Sequence, residues 1–212
     1  MSLAHILSLS RVVAAPIIAV LILARPGTSL VTAALLFALA SITDLLDGKL
    51  ARYSESVSPL GIFLDTTADK VLVALTLIAL SIAGLAPAWV TLVIIGREFL
   101  ISGLRSFAAS QERIISAHTW GKGKTLVTMI AIFCLLVTAG GRAGGVIGPV
   151  ASHVSWSNLV TVSTWLLYLS AALTVVSGVR YVIDARPLFR PEAPVEVVAS
   201  GKRRSVASGR DG

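Results

Sequence analysis

A chain of 212 residues has room for one compact domain, yet 55% of it is hydrophobic and only 14% is charged. Soluble domains carry about 25% charged residues, so a water-soluble globule is excluded and burial in lipid is expected. The net charge of +7 raises nucleic acid as a partner, but no basic-and-aromatic pattern accompanies it.

A bilayer-spanning helix needs about 20 mostly apolar residues, and apolar runs recur along most of the chain. Residues 1–11 place Leu3, Ile6, Leu7 and Leu9 among polar positions, which predicts a short helix lying at the membrane interface. Span one, about residues 12–24, contains Pro16, which a membrane helix tolerates when neighbours satisfy the freed backbone groups. A cleaved signal peptide is the competing reading, but no small-x-small cleavage site follows, and Arg25-Pro26 is a poor substitute. Span two covers about 29–46, where Ala33, Ala34, Ala38 and Ala40 would allow close helix contact, including contact between two copies. Spans three and four cover about 66–83 and 88–106. Span five, about 125–139, holds Cys134, the single cysteine, read as a packing residue. Span six covers about 159–183. From Ala185 onward the chain is rich in Pro, Ser, Gly and Arg, with Lys202-Arg203-Arg204 in a run. That composition predicts a disordered basic tail near the membrane surface. The expected fold is therefore an all-α integral membrane protein: six transmembrane helices, an N-terminal interfacial helix, one domain over 1–184 and a tail over 185–212.

Six spans leave both termini on one side. Of the 18 Lys and Arg residues, only Arg25 and Arg142 fall in the loops of the other side, and the remaining 16 lie with the termini. The positive-inside rule then places both termini in the cytoplasm, the chain being multi-pass in the cytoplasmic (inner) membrane. The positive charge is a topology signal and an attraction to anionic membrane lipids, and no nucleic-acid partner is expected. His5, His118 and His153 fall on different segments and on both sides of this topology. They do not form a ligand set.

The chemistry concentrates in residues 44–70, between spans two and three, where four of the eleven acidic residues stand as Asp44, Asp47, Asp65 and Asp69. The pairs are three and four residues apart, so on helices each pair shares a face. The first pair ends span two and the second opens span three, both at the cytoplasmic surface. Four carboxylates converging there repel one another unless cations sit between them. Oxygen donors with open, hydrated positions suit Mg²⁺ or Mn²⁺, which commonly bridge to substrate phosphates. Taken singly, any of the four is more simply a solvated helix end paired with Lys49, Arg52 or Lys70. Gly48 and Gly61 remove side chains where a nucleotide or its pyrophosphate could approach the backbone, and Ala51 is small. Arg52 offers a planar fork for a phosphate or a cytosine edge.

Asp44-x-x-Asp47-Gly48-x-x-Ala51-Arg52, eight residues, Gly61, three residues, Asp65, three residues, Asp69 resembles, without a departure, the signature of the CDP-alcohol phosphatidyltransferase family. The resemblance implies that Asp44, Asp47 and Asp65 bind metal, and that Asp69 combines metal contact with the role of general base. It also implies CDP-lipid contacts by Asp44, Gly48, Ala51, Arg52 and Gly61, with Ser8 and Ser58 near the CDP group, and it suggests a homodimer. The metals would clamp the pyrophosphate and stabilise the departing CMP, while Asp69 accepts the proton of the attacking hydroxyl.

A second polar cluster bears on the acceptor. Arg97, Glu98 and Arg105 end span four, and Lys122 and Lys124 precede span five. Cations beside a metal site suit an acceptor that is itself phosphorylated, with Arg97, Arg105 and Lys124 as its phosphate-binding residues. The plain alternative is topological decoration. Arg97-Glu98 with Arg105, the run Gly121-Lys122-Gly123-Lys124-Thr125 and Ala68-Asp69-Lys70 resemble the phosphatidylglycerophosphate synthase branch of the family. The likeness runs from the N-terminal LSLSR to about Met129. It implies CDP-diacylglycerol and sn-glycerol 3-phosphate as substrates. Inositol phosphate, serine or phosphatidylglycerol as acceptor stays open at this point. A cation transporter is the rival from another class, but it would place acids deep in several spans, whereas these four cluster at one interface.

Overall fold

In the computed structural model the chain is all helix among the described residues, which are 3–50, 59–110, 120–144 and 155–186, with 3–7, 44–50, 59–66 and 120–122 described as backbone alone. The helices are α1 (Leu3–Ala24), α2 (Gly27–Leu50), α3 (Pro59–Ile82), α4 (Ala88–Ser110), α5 (Trp120–Arg142) and α6 (Trp156–Asp184).

Their ends follow local chemistry. α1 stops where Arg25 takes a left-handed φ of 68° ahead of Pro26, which cannot continue the helix. α3 begins on Pro59, whose fixed φ and missing N–H suit a first helical position. It ends in a Schellman turn, in which Leu85 N–H donates to Leu80 O at 2.8 Å around Gly84 with φ 73°. α4 starts at Ala88, directly after Pro87. Residues 3–11, expected as a separate interfacial helix, run into α1 without a break, since neither glycine nor proline interrupts the chain there.

The six helices close into a ring. α1 packs on α2 and α3, α5 packs on α2 and α6, and α4 closes the circuit between α6 and α3. The core inside this ring is built from Ile18 and Ile22 of α1, Phe37 of α2, Leu72 and Leu80 of α3, Ile94 of α4, Leu135 of α5 and Leu167 of α6. Ala33, Ala34 and Ala40 of α2 are buried in this same core. Contact between copies, which their small size suggested, is therefore not where they are used; α2 spends this face on its own neighbours.

Close approaches fix the order of the ends. A β-carbon at Gly140 of α5 would sit 2.8 Å from Val31 Cγ2 and 3.1 Å from Gly27 O, so the end of α5 lies against the start of α2. The two helices run antiparallel, and the last turns of α2, with Asp44 and Asp47, lie at the end of the ring where α5 begins. α4 and α6 run parallel, with Trp89 stacked on Tyr168 at 5.6 Å and Arg97 bonded to Ser177 further along. Ala108 and Ala185 share a small buried cluster beyond them.

The outside of the ring is apolar. Leu92 and Trp165 are more than half exposed, as are Val20, Leu39 and Phe99. Among the described residues, two helices are long and apolar enough to cross a membrane, over Gly123–Arg142 and Trp156–Asp184, and Ser8–Ala24 and Gly27–Thr43 are shorter apolar stretches. Cys134 is half-buried in α5, as a packing residue would be. The tail from residue 187 lies outside the described residues, as do His118 and His153.

Candidate active site

α2 stays helical through Leu50, and α3 starts at Pro59, so all four aspartates stand on helices. Asp44 and Asp47 occupy the last two turns of α2, with Gly48 beside them. Gly61, Asp65 and Asp69 occupy the first three turns of α3. The three- and four-residue spacings thus fall on helical backbone, as the motif requires. Ala51, Arg52 and Ser58 lie outside the described residues, and the side chains of Asp44, Asp47 and Asp65 are likewise not described.

Asp69 is half-buried and lines a cavity of about 50 Å³ enclosed by α3, α4 and α5. Its polar walls are Asp69 and Lys70 from α3, Glu98 from α4, and Thr125 and Thr128 from α5. Val73, Ile94 and Phe99 supply apolar walls. Thr128 is held in place by a hydrogen bond of 2.5 Å shared with Ser170 of α6. The carboxylate of Asp69 therefore opens on a small, mostly apolar cavity, with Lys70 beside it on α3 and the carboxylate of Glu98 on the facing helix.

The expected acceptor residues divide. Arg97 and Lys124 converge on one oxygen: Glu98 Oε1 accepts a hydrogen bond from Arg97 Nη1 at 3.1 Å and another from Lys124 Nζ. Arg105 lies two turns further along α4 and is exposed, with its charge still acting on Lys70 and Lys124. Arg97 is also fixed from α6, since its Nη2 donates to Ser177 Oγ at 3.2 Å. Gly178 makes room for it there, because a β-carbon at 178 would lie 3.0 Å from Arg97 Cγ. Lys124 faces a second, open hollow of about 420 Å³ between α5 and α6, whose other polar walls are Ser177 and Arg180.

Sequence reasoning missed three features. Glu98 was placed near the basic residues but not as their shared acceptor. Ser177 and Gly178 carry no motif at all. Arg11, read only as a topology charge, is 1% exposed on α1. It stands three residues after Ser8, which is also buried, so one helical turn puts both on the same face. That spacing was the signal available.

Residues 1–176 match the model of a family described as CDP-alcohol phosphatidyltransferase. The chain is 34% identical over 188 residues, 89% of this chain and 97% of the relative, to the CDP-diacylglycerol--glycerol-3-phosphate 3-phosphatidyltransferase of Rickettsia bellii. It is 46% identical over 104 residues, 49% of this chain and 54% of the relative, to the enzyme of the same name from Bacillus subtilis. It is also 35% identical over 184 residues, 84% of this chain and 85% of the relative, to a probable phosphatidylglycerophosphate synthase of Mycobacterium tuberculosis.

Proposed function

The chain belongs to the CDP-alcohol phosphatidyltransferase family, and from that premise we propose that it makes phosphatidylglycerol phosphate. It transfers the phosphatidyl group of CDP-diacylglycerol to sn-glycerol 3-phosphate and releases CMP. The Rickettsia bellii relative named for this reaction aligns with 89% of this chain. The observation that carries the acceptor is the pairing of Arg97 and Lys124 beside the cavity of Asp69. A buried lysine and a half-buried arginine meeting on one anionic oxygen suit a phosphate, which offers oxygens of the same kind.

Asp69 takes the proton of the acceptor's hydroxyl, which then attacks the lipid-side phosphorus opposite the CMP oxygen. Arg97 and Lys124, with Arg105 at the rim, hold the acceptor's phosphate so that the hydroxyl reaches Asp69. Gly48, Ala51 and Gly61 keep the backbone open to the CDP group, and Arg52, Ser8 and Ser58 contact it. Asp44, Asp47, Asp65 and Asp69 form an all-oxygen donor set on two helix ends, which fits Mg²⁺ or Mn²⁺. Bound there, the ion supplies neutralisation of the pyrophosphate and of charge developing on CMP.

The 16 cations on one side support six spans with both termini and the site in the cytoplasm, in the inner membrane. A homodimer would use faces other than the Ala33–Ala34 side of α2, which is buried within the chain.

An acceptor panel tests the reading. Purified protein, CDP-diacylglycerol and Mg²⁺ are given glycerol 3-phosphate, inositol phosphate, serine or phosphatidylglycerol in turn, with CMP release measured. The reading requires glycerol 3-phosphate to be the preferred acceptor. Preference for another alcohol would keep the family chemistry and reject this acceptor.

A further inference from the structure

Glu98 occupies the place that an acceptor's phosphate needs. Its Oε1 is the single oxygen on which Arg97 and Lys124 meet. The side chains of the two cations are 13% and 6% exposed, whereas that of Glu98 is 31% exposed and lines the cavity of Asp69. The cations form the back of the site and the carboxylate stands in front of them. An anion in the cavity of Asp69 meets Glu98 before either cation, and Lys124 is open besides to the hollow between α5 and α6.

Arg97 does not depend on Glu98 alone for its position, since it is held by Ser177 and seated against Gly178. Lys124 is buried, with its ammonium bonded to Glu98. Glu98 is the most exposed of the three. Residues one apart on a helix do not face each other, so its contact with Arg97 works against the natural directions of both side chains.

We propose that Glu98 is a displaceable counter-ion: it neutralises Arg97 and Lys124 while the acceptor is absent, and gives way to the acceptor's phosphate. This rests on the reading that these cations hold a phosphate, and it adds a specificity device to it. A neutral alcohol contributes nothing that would displace the carboxylate. A phosphate ester does, so the site opens to the acceptor only when the acceptor is anionic. The alternative role, a permanent brace for the two cations, predicts the opposite sign of effect.

The test uses the full chain in detergent with inorganic phosphate as probe, read by thermal unfolding, alongside the KM values for glycerol 3-phosphate and CDP-diacylglycerol. Glu98→Gln removes the charge and keeps the shape. In the variant, half-maximal stabilisation by phosphate is expected at a concentration about three- to tenfold lower than in the wild type, the weight of one displaced ionic contact at a partly exposed site. The KM for glycerol 3-phosphate falls in step, and that for CDP-diacylglycerol stays put. Arg97→Gln abolishes the phosphate effect in either background. Glu98→Asp, which draws the carboxylate back along the helix, shifts phosphate binding in the same direction by less, and decides the matter if the glutamine variant does not fold. Weaker or unchanged phosphate binding in the Glu98 variants overturns the proposal, as does a wild type that phosphate does not stabilise. If the wild type binds phosphate but does not use glycerol 3-phosphate, the acceptor assignment fails while the phosphate titration still decides the role of Glu98.

Discussion

Arg97 of α4 lies across Gly178 of α6, so close that a β-carbon at 178 would sit 3.0 Å from Arg97 Cγ and 3.3 Å from its Nε. The absence of a side chain at 178 is thus what lets a guanidinium cross between two parallel helices toward the cavity of Asp69.

Gly178→Val is expected to push Arg97 off Glu98 and out of line with the acceptor. Overpacking of this kind costs about 1–3 kcal/mol, which corresponds to a rise of about 5- to 100-fold in the KM for glycerol 3-phosphate. The KM for CDP-diacylglycerol should change little. Steady-state kinetics on folded, detergent-purified protein checks this, and Gly178→Ala should show a milder form, since a flexible side chain can yield by a few tenths of an ångström.

Asp69→Asn keeps the size of the side chain and removes its basicity. General-base catalysis contributes about 10²- to 10⁴-fold, so turnover should fall by that order while binding of CDP-diacylglycerol largely persists. A variant retaining a third of wild-type turnover would refute the general-base role. Asp44→Asn and Asp65→Asn should differ by weakening nucleotide binding as well.

How far the sequence alone led can be judged from particular residues. The spacing of Asp44, Asp47, Asp65 and Asp69 was legible because period and motif agree, and the structure sets all four on helical backbone. Span ends were legible only roughly. Hydropathy stops where charge begins, but nothing breaks the helix there, so α2 runs on past Leu46 to Leu50 and α3 starts at Pro59 rather than Thr66. The Arg97–Ser177 bond was not legible, since it joins residues 80 apart and neither carries a pattern. The turn of Glu98 toward its neighbour Arg97 runs against helical spacing and could not be read from it. Arg11 was hidden inside a charge count, where a buried cation and a surface one weigh the same.

Removal of divalent metal should abolish CMP release, and Mg²⁺ or Mn²⁺ should restore it. The physical ground is repulsion: four carboxylates and a pyrophosphate do not share a small volume without cations between them. Full turnover in excess chelator would remove the metal assignment of the aspartates.

Gly140→Ala probes the opposite end of the ring. Its β-carbon would meet the backbone at Gly27 O as well as Val31 Cγ2, so relief requires α2 and α5 to move apart. A loss of about 1–3 kcal/mol in stability is expected, read as a lower unfolding temperature. Because the contact lies at the end of α5 away from Thr125 and Thr128, which line the cavity of Asp69, the folded fraction should keep the wild-type KM values.

The most direct measurement follows the acceptor itself. Purified protein is given CDP-diacylglycerol, Mg²⁺ and radiolabelled sn-glycerol 3-phosphate, with plain glycerol in a parallel reaction, and label in the lipid phase is compared with CMP released. The account predicts labelled phosphatidylglycerol phosphate in equal amount to CMP, little product from glycerol, and a KM for glycerol 3-phosphate raised about 10- to 100-fold in Arg97→Gln, as loss of a charge-assisted contact implies. CMP release with another alcohol, and no label entering lipid from glycerol 3-phosphate, would contradict it.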